Sequence, residues 1–266
     1  VRLVAMGKAA SYGAGDFEVA QMLQHQGVNY LAVAFADEGV LLRERGIRMP
    51  IVVLNADEGS FDLMVAHRLE PEIYNFRSLA FFSKAVERVG EESYPIHIKL
   101  DTGMHRLGFM EGELDMLTET LGETPSVKVA TIFSHLNCSD MPQEDRYTRE
   151  QIARFDRMSG RLAAALPYPV LRHTANSAAI ERFPEAQFDM CRLGLGLYGF
   201  GFEHNDELKP VSTLKSRIVQ LKHLSAGEAV GYGRAGKLTR DSVTATVPMG
   251  YADGLDRHLG CGRWSM

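Results

Sequence analysis

The feature that most constrains this chain is a rhythm. Short apolar runs alternate with segments of helical period: VRLVAM before DFEVAQMLQHQG, YLAVAF before DEGVLLRERG, PIVVLN before SFDLMVAHRL, and PEIYNF before SLAFFSKAVERVG. YPIHIKLD then precedes EGELDMLTETLGE, VKVATIFSHLN precedes a long helix over residues 144–166, PVLRHTAN precedes SAAIERF, and FDMCRLGLGLYGF closes the series. Strands that read as continuous apolar runs suit a parallel sheet buried on both faces. Eight strands with seven helices between them, over roughly 200 residues, predict an α/β chain folded as a (β/α)8 TIM-type barrel. A doubly wound sheet would use fewer strands and a G-x-G-x-x-G turn after the first, which is absent.

The texture changes after Pro210. STLKSRIVQLKHL and SVTATVPMG are β-branched and partly alternating, with turns at SAGEAVGYG and LTRDS. The expected division is therefore a barrel over 1–210 and the first part of a mostly β domain over 211–266. The chain begins in mid-strand without an initiator methionine and stops at GRWSM, so truncation is expected at both ends.

Bulk properties narrow the function. A net charge of −5 and a pI near 6.0 argue against a nucleic-acid partner, because phosphate binding needs a basic surface. The three cysteines, Cys138, Cys191 and Cys261, form neither a C-x-x-C pair nor an even disulfide set, which places the chain in a reducing, cytoplasmic compartment. No apolar run reaches the length of a membrane span, and the first residues lack the layout of a signal peptide. No metal and no membrane partner are expected.

Barrel chemistry sits at the C-terminal ends of the strands. The polar residues there are Lys8 after strand one, Asn55 after strand three, Asn75 and Arg77 after strand four, and Lys99 with Asp101 after strand five. His135 and Asn137 follow strand six, His173, Asn176 and Ser177 follow strand seven, and Arg192 lies within strand eight. Each also has a plainer reading. Lys8 suits a solvated strand end, Lys99, Asp101 and Arg106 an ion-pair cluster, His135 a hydrogen-bonded core histidine, and Ser177 a helix cap. Charges such as Lys99 and Arg192 pointing into the barrel would be costly if left unpaired.

RLGLGLYG, after strand eight, occupies the usual phosphate corner of such barrels, where backbone N–H groups can cradle an anion. The hydroxyls of Ser177 and Tyr12 would add donors. A phosphate corner together with a strand-end lysine points to a phosphorylated aldehyde cofactor held as a Schiff base.

These residues resemble the pyridoxal-phosphate barrel of alanine racemases. The resemblance rests on AMGKAASYGAG, KLDTGMHRLGF, FSHLNCSD, RHTANSAA, RLGLGLYG, GEAVGYGR and PMGYADG, which run in family order from Val1 to about Asp256. It implies pyridoxal 5'-phosphate as the cofactor and an amino acid, alanine, as the substrate, racemised to supply D-alanine for peptidoglycan. It implies a homodimer with shared active sites. Lys8 would hold the cofactor and act as one acid/base group, and Tyr232 would be the other, reaching into the partner's site, which Tyr251 would also line. Arg192 would face the pyridine nitrogen, His135 would link Arg192 to Tyr232, and Arg106 would hold the cofactor's phenolic oxygen and the substrate carboxylate. Tyr12, Ser177 and the backbones of Gly194 and Leu195 would bind phosphate, with Asn176 beside them. Lys99 matches a lysine that in many members is carbamylated.

Two such groups on opposite faces of Cα would racemise it without turning the substrate over. The sequence departs from the family pattern at Gly7, usually valine, where a loss of packing is expected, and at His105, often glycine. The family also occurs fused behind a cell-wall ligase domain. The alternatives are another barrel enzyme with the same cofactor (a serine or broad-specificity racemase, or a decarboxylase) and a cofactor-binding barrel without catalysis. Arg192 at the ring nitrogen and the tyrosine of GYGR count against the decarboxylase, and the β segment after Pro210 counts against the carrier.

Overall fold

A computed structural model describes residues 1–260; Cys261 and the rest of the expected β segment, 261–266, lie outside the described residues. The chain divides into two compact units, Val1–Val211 and Ser212–Met266.

The first unit carries eight parallel strands: β1 (Arg2–Met6), β2 (Tyr30–Val33), β3 (Ile51–Val53), β4 (Glu70–Ile73), β5 (Tyr94–Lys99), β6 (Val127–Phe133), β7 (Leu171–His173) and β8 (Met190–Leu193). They run in the order β7-β6-β5-β4-β3-β2-β1-β8. At the seam between β7 and β8 no ladder forms, and single bonds from Asp189 N to Arg172 O (3.0 Å) and from Arg192 N to Ala175 O (3.0 Å) nearly close the barrel. Seven helices lie between the strands: α1 (Asp16–His25), α2 (Ala36–Glu44), α3 (Phe61–Ala66), α4 (Phe76–Arg88), α5 (Leu114–Gly122), α6 (Asp145–Ala165) and α7 (Ser177–Arg182). The expected barrel is the one found. Strand four starts earlier than PEIYNF suggested, at Glu70, and Asp16 is the first residue of α1 rather than its cap, which is Gly15.

Each helix folds because one stripe of it is apolar. On α6, Thr148, Ile152, Phe155, Ser159 and Leu162 recur at spacings of four and three and are buried. The opposite face is charged, with Arg157 paired to Glu111 and Arg161 to Asp115. On α4, Leu79, Phe82 and Val86 make the same stripe, and Phe82 is fully buried. A side chain of that kind contributes about 1.5–3 kcal/mol.

Side chains alternate across each strand, so one set faces the helices and the other the barrel interior. Ala5, Leu31, Val33, Ile51 and Val53 belong to the outer core. Val4, Met6, Ala32, Val52 and Met190 pack together in the interior. The remaining half of the interior is not apolar as the strand pattern implied. Glu70, Glu72, His97, Lys99, Thr131, His173 and Arg192 are all buried on β4 to β8.

The second unit has two short antiparallel pairs, β9 (Gln220–Leu224) with β12 (Ser242–Thr246), and β10 (Ala229–Val230) with β11 (Gly236–Lys237). This is mostly β structure, as expected, although residues 212–219 form no strand. Among the described residues no helix is long and apolar enough to cross a membrane.

Candidate active site

A cavity of about 470 Å³ opens at the C-terminal ends of the strands, a volume within the range of small-molecule sites. Lys8, Asn55 and Lys99 reach it from β1, β3 and β5, and His135, Asn176, Ser177, Arg192, Gly194 and Leu195 from β6, β7 and β8. Tyr12 and Arg106 line it from loops.

Lys8 stands where β1 stops. The next four residues, Ala9 to Tyr12, all have φ between 50° and 57°. Four consecutive left-handed residues are unusual, at about 1–2 kcal/mol each. The turn is held by Ser11 N donating to Gly7 O (3.0 Å), and by Ala9 N donating to Glu38 Oε1 (2.7 Å) from α2. It throws Tyr12 back over the strand end, with its ring 5.8 Å from Lys8 Nζ and 4.9 Å from the Tyr198 ring. Tyr198 is itself fixed by donating to Met6 O at 2.7 Å. The sequence Y-G-A-G is therefore the exit from a left-handed turn, with Gly13 and Gly15 also at positive φ.

Gly7, read above as a loss of packing, is not one. A Cβ there would lie 2.9 Å from Leu31 Cδ1, so Leu31 already fills the space. His105 has φ 54°, a left-handed backbone that favours glycine, and is held by its N–H and its ring against Asp101. The alternative cluster of Lys99, Asp101 and Arg106 does not form. Asp101 Oδ1 instead accepts from Gly103 N and His105 N, and Arg106 makes no hydrogen bond or ion pair among the described residues.

The phosphate corner is built from three segments. Ser177 Oγ accepts from Gly194 N (2.9 Å) and Gly196 N (3.2 Å), so the glycine loop closes onto this hydroxyl. The helix cap is Asn176, not Ser177: Asn176 Oδ1 accepts from Ala179 N (3.0 Å). A Cβ built on Gly194 would meet the Tyr12 hydroxyl at 3.2 Å and Ser177 Oγ at 3.6 Å. Glycine at 194 thus leaves a concave corner edged by two hydroxyls. A phosphate fits this donor set, and Lys8 across the same cavity supplies the amine an aldehyde needs, so the residues present fit pyridoxal phosphate.

Arg192 crosses the back of the cavity, 5% exposed. Its Nη2 donates to Ser134 O (2.7 Å), Thr174 O (3.1 Å) and His135 Nδ1 (3.2 Å), and its Nη1 to His173 Nδ1 (2.9 Å). Burial pushes its pKa down to about 10, so it keeps its proton near neutrality. His135 and His173 are each held well below the usual histidine range, by burial first and by the Arg192 charge second. Both are neutral acceptors at Nδ1, which leaves their Nε2–H groups as donors.

Sequence reasoning missed two parts. One is Glu72, which lines the cavity at 0% exposure and accepts from Lys99 Nζ at 2.9 Å. The other is the layer beneath Arg192, where His173 sits in the barrel interior rather than at its mouth. The signal for both was period-two polarity within EPEI and YPIHIK, obscured by the apolar residues between. Four collected residues fall outside the cavity lining: Asp101, which binds its own loop, His173 in the layer beneath, Asn75, which caps α4 by accepting from Ser78 N (2.7 Å), and Arg77, which pairs with exposed Glu58. Tyr232 and Tyr251 belong to the second unit, 95% and 72% exposed, and their hydroxyls make no hydrogen bond among the described residues.

Comparison with known proteins gives a consistent picture. The model "Alanine racemase, N-terminal domain" matches residues 1–201, and "Alanine racemase, C-terminal domain" matches residues 211–266. An alanine racemase of Sorangium cellulosum is 37% identical over 258 residues, covering 95% of this chain and 68% of the relative. The solved alanine racemase of Streptomyces coelicolor superposes with a TM-score of 0.90 at 28% identity, covering 97% of this chain and 71% of that one. The alanine racemase of Bartonella henselae with covalently bound pyridoxal phosphate gives 0.82 at 26% identity, with 97% and 71% covered.

Proposed function

The chain belongs to the alanine racemase family of pyridoxal-phosphate-dependent isomerases, and from that premise we propose that it interconverts L- and D-alanine with Lys8 and Tyr232 of the partner subunit as the two proton-moving groups. The observation that supports the reading is the convergence of Lys8, Arg192 and the Gly194 corner on one cavity. Bound pyridoxal phosphate supplies the electron-withdrawing ring that takes up the charge left on Cα when its proton departs.

The chain's own residues do the rest. Ser177 and Tyr12, with the N–H of Leu195, hold the phosphate. Arg192, immobilised by four acceptors and still protonated, offers a hydrogen bond to the ring nitrogen without surrendering its proton. With pyridoxal phosphate bound, a guanidinium in that place would not give the ring nitrogen a proton. Arg106, without a hydrogen bond or ion pair among the described residues, grips the substrate carboxylate through its fork of donors. Lys8 Nζ moves the proton on one face of Cα. On the other face Tyr232 of the partner subunit does so, with His135 Nε2–H donating toward its phenolic oxygen and Arg192 fixing the histidine's tautomer from behind. That donation stabilises a phenolate and favours its use as a base. The products would feed D-alanine to peptidoglycan in the cytosol, from a homodimer whose sites are shared.

The test is the full chain with cofactor and L-alanine in heavy water. D-alanine carrying deuterium at Cα is expected; absence of both product and exchange overturns the reading. Mixed dimers of Lys8→Ala and Tyr232→Phe subunits should regain part of the activity each parent lacks, and confirmed mixed dimers without rescue would mean each subunit's site is self-contained.

A further inference from the structure

Glu72 is a carboxylate in an expensive place. It stands on β4 at 0% exposure, at the floor of the cavity. One oxygen, Oε1, accepts from Lys99 Nζ at 2.9 Å; the other, Oε2, is shut off from solvent and has no partner among the described residues. The charges that face it are those of Lys99, Arg192 and Arg106, all cationic. Asp140 is the other carboxylate on the cavity lining, and it is exposed at the rim. The floor therefore gathers three cations around one buried acid. Phe133 lies against two of them, with Lys99 Nζ and Arg192 Cζ each 5.4 Å from its ring. Among the described residues Glu72 is the carboxylate that acts on both Lys99 and Arg192.

We propose that Glu72 is the built-in anion of the pocket floor, a positioning residue that holds Lys99 as an unmodified ammonium and balances the arginines beside it. A lysine nitrogen forms a carbamate only from its neutral amine: the nitrogen attacks carbon dioxide, a C–N bond forms, and a proton leaves. Burial pushes the Lys99 pKa down and the Glu72 pKa up, and the hydrogen-bonded pairing across 2.9 Å works against both shifts, holding the proton on the nitrogen. The product would also set a second anion against Glu72 in a buried layer, with the cation that now neutralises Glu72 gone. The side chain that the family resemblance marks for modification is thus already paired, and the charge a carbamate would bring is encoded at residue 72.

The first test needs no variant and no turnover. Holoenzyme equilibrated with 13C-bicarbonate is expected to show no carbamate resonance in its 13C spectrum. A carbamate signal that disappears in Lys99→Arg overturns the proposal. The second uses Glu72→Gln, with Glu72→Asp as the conservative partner. Removing the charge is expected to make the carbamate resonance appear on Lys99 and to make KM for L-alanine bicarbonate-dependent, rising about tenfold in its absence with a smaller change in kcat. Glu72→Asp is expected to restore the silent spectrum. A folded Glu72→Gln protein with unchanged KM and no resonance also overturns it. Only the KM arm rests on the racemase reading; the spectra report on Lys99 whether or not alanine is turned over, so the two can fail separately.

Discussion

Arg192 Nη1 donates to His173 Nδ1 across 2.9 Å, and that bond sets the direction of a chain running down the barrel interior. With Nδ1 accepting, His173 Nε2–H donates to Thr131 Oγ1 (3.1 Å). Thr131 then donates to His97 Nδ1 (2.8 Å), and His97 Nε2–H donates to Glu70 Oε2 (2.8 Å). Arginine can only donate and a carboxylate can only accept, so the two ends fix every proton between them. The guanidinium behind the cofactor site is oriented by a relay that spans five strands, β8 to β4.

Thr131 is the centre of that relay. Thr131→Val keeps the shape and removes the hydroxyl, leaving one buried donor on His173 and one buried acceptor on His97 unpaired. Each such group costs about 1–3 kcal/mol. Urea unfolding should show a loss in that range or above for Thr131→Val and much less for Thr131→Ser. Equal stability of the two variants would mean the relay is not formed.

The same relay makes the fold acid-sensitive. His173 is held well below the histidine range by burial, then by Arg192 and His97. In the unfolded chain it binds a proton near pH 6.5. Below that pH the unfolded state holds more protons than the native one, so stability falls as pH falls from about 6.5. One such residue contributes a slope of up to about 1.4 kcal/mol per pH unit. Unfolding free energies measured between pH 5 and 7 should show a shallower slope in His173→Gln than in the parent; identical slopes would refute this origin.

Gly194 tests the phosphate corner. The Cβ of Gly194→Ala would sit 3.2 Å from the Tyr12 hydroxyl, inside the space assigned to the anion. Affinity for pyridoxal phosphate, measured by fluorescence titration, should weaken about tenfold or more, equivalent to about 1.4 kcal/mol, while the melting temperature without cofactor changes little. Unaltered affinity would place the phosphate elsewhere.

Gly7 tests the packing beneath Lys8. Gly7→Ala forces a Cβ to 2.9 Å from Leu31 Cδ1 and should destabilise by about 1–3 kcal/mol, the usual cost of overpacking. In Gly7→Ala/Leu31→Ala the clash disappears, so the double variant should lose less than the sum of the single losses. Strict additivity, read from thermal unfolding, would show the two positions to be independent.

The strand-helix rhythm was legible because burial on the helix side imposes apolar runs and helical stripes on a local stretch of chain. VRLVAM, YLAVAF and the stripe on α6 each carry that imprint within one window of residues. Lys8, the glycine corner and Ser177 were legible too, since strand ends and loops announce themselves by composition. What was hidden lay inside the barrel. Glu70 and Glu72 read as a short polar interruption in EPEI, and His97 with Lys99 as the alternate residues of YPIHIK. Their partners lie on neighbouring strands, 27 or 34 residues away.

The sequence by itself determined the class of fold, the ends of the elements to within a few residues, and the residue types gathered around the barrel mouth. Only the tertiary structure decided which charges meet. That Lys99 pairs with Glu72 rather than Asp101, that Arg192 is braced by His173, and that Leu31 fills the place left at Gly7 all depend on strand register and on which side chains share the interior. Hydrophobic periodicity is written locally along the chain; the pairing of buried charges is a property of distance between strands, and it exists only once the barrel has formed.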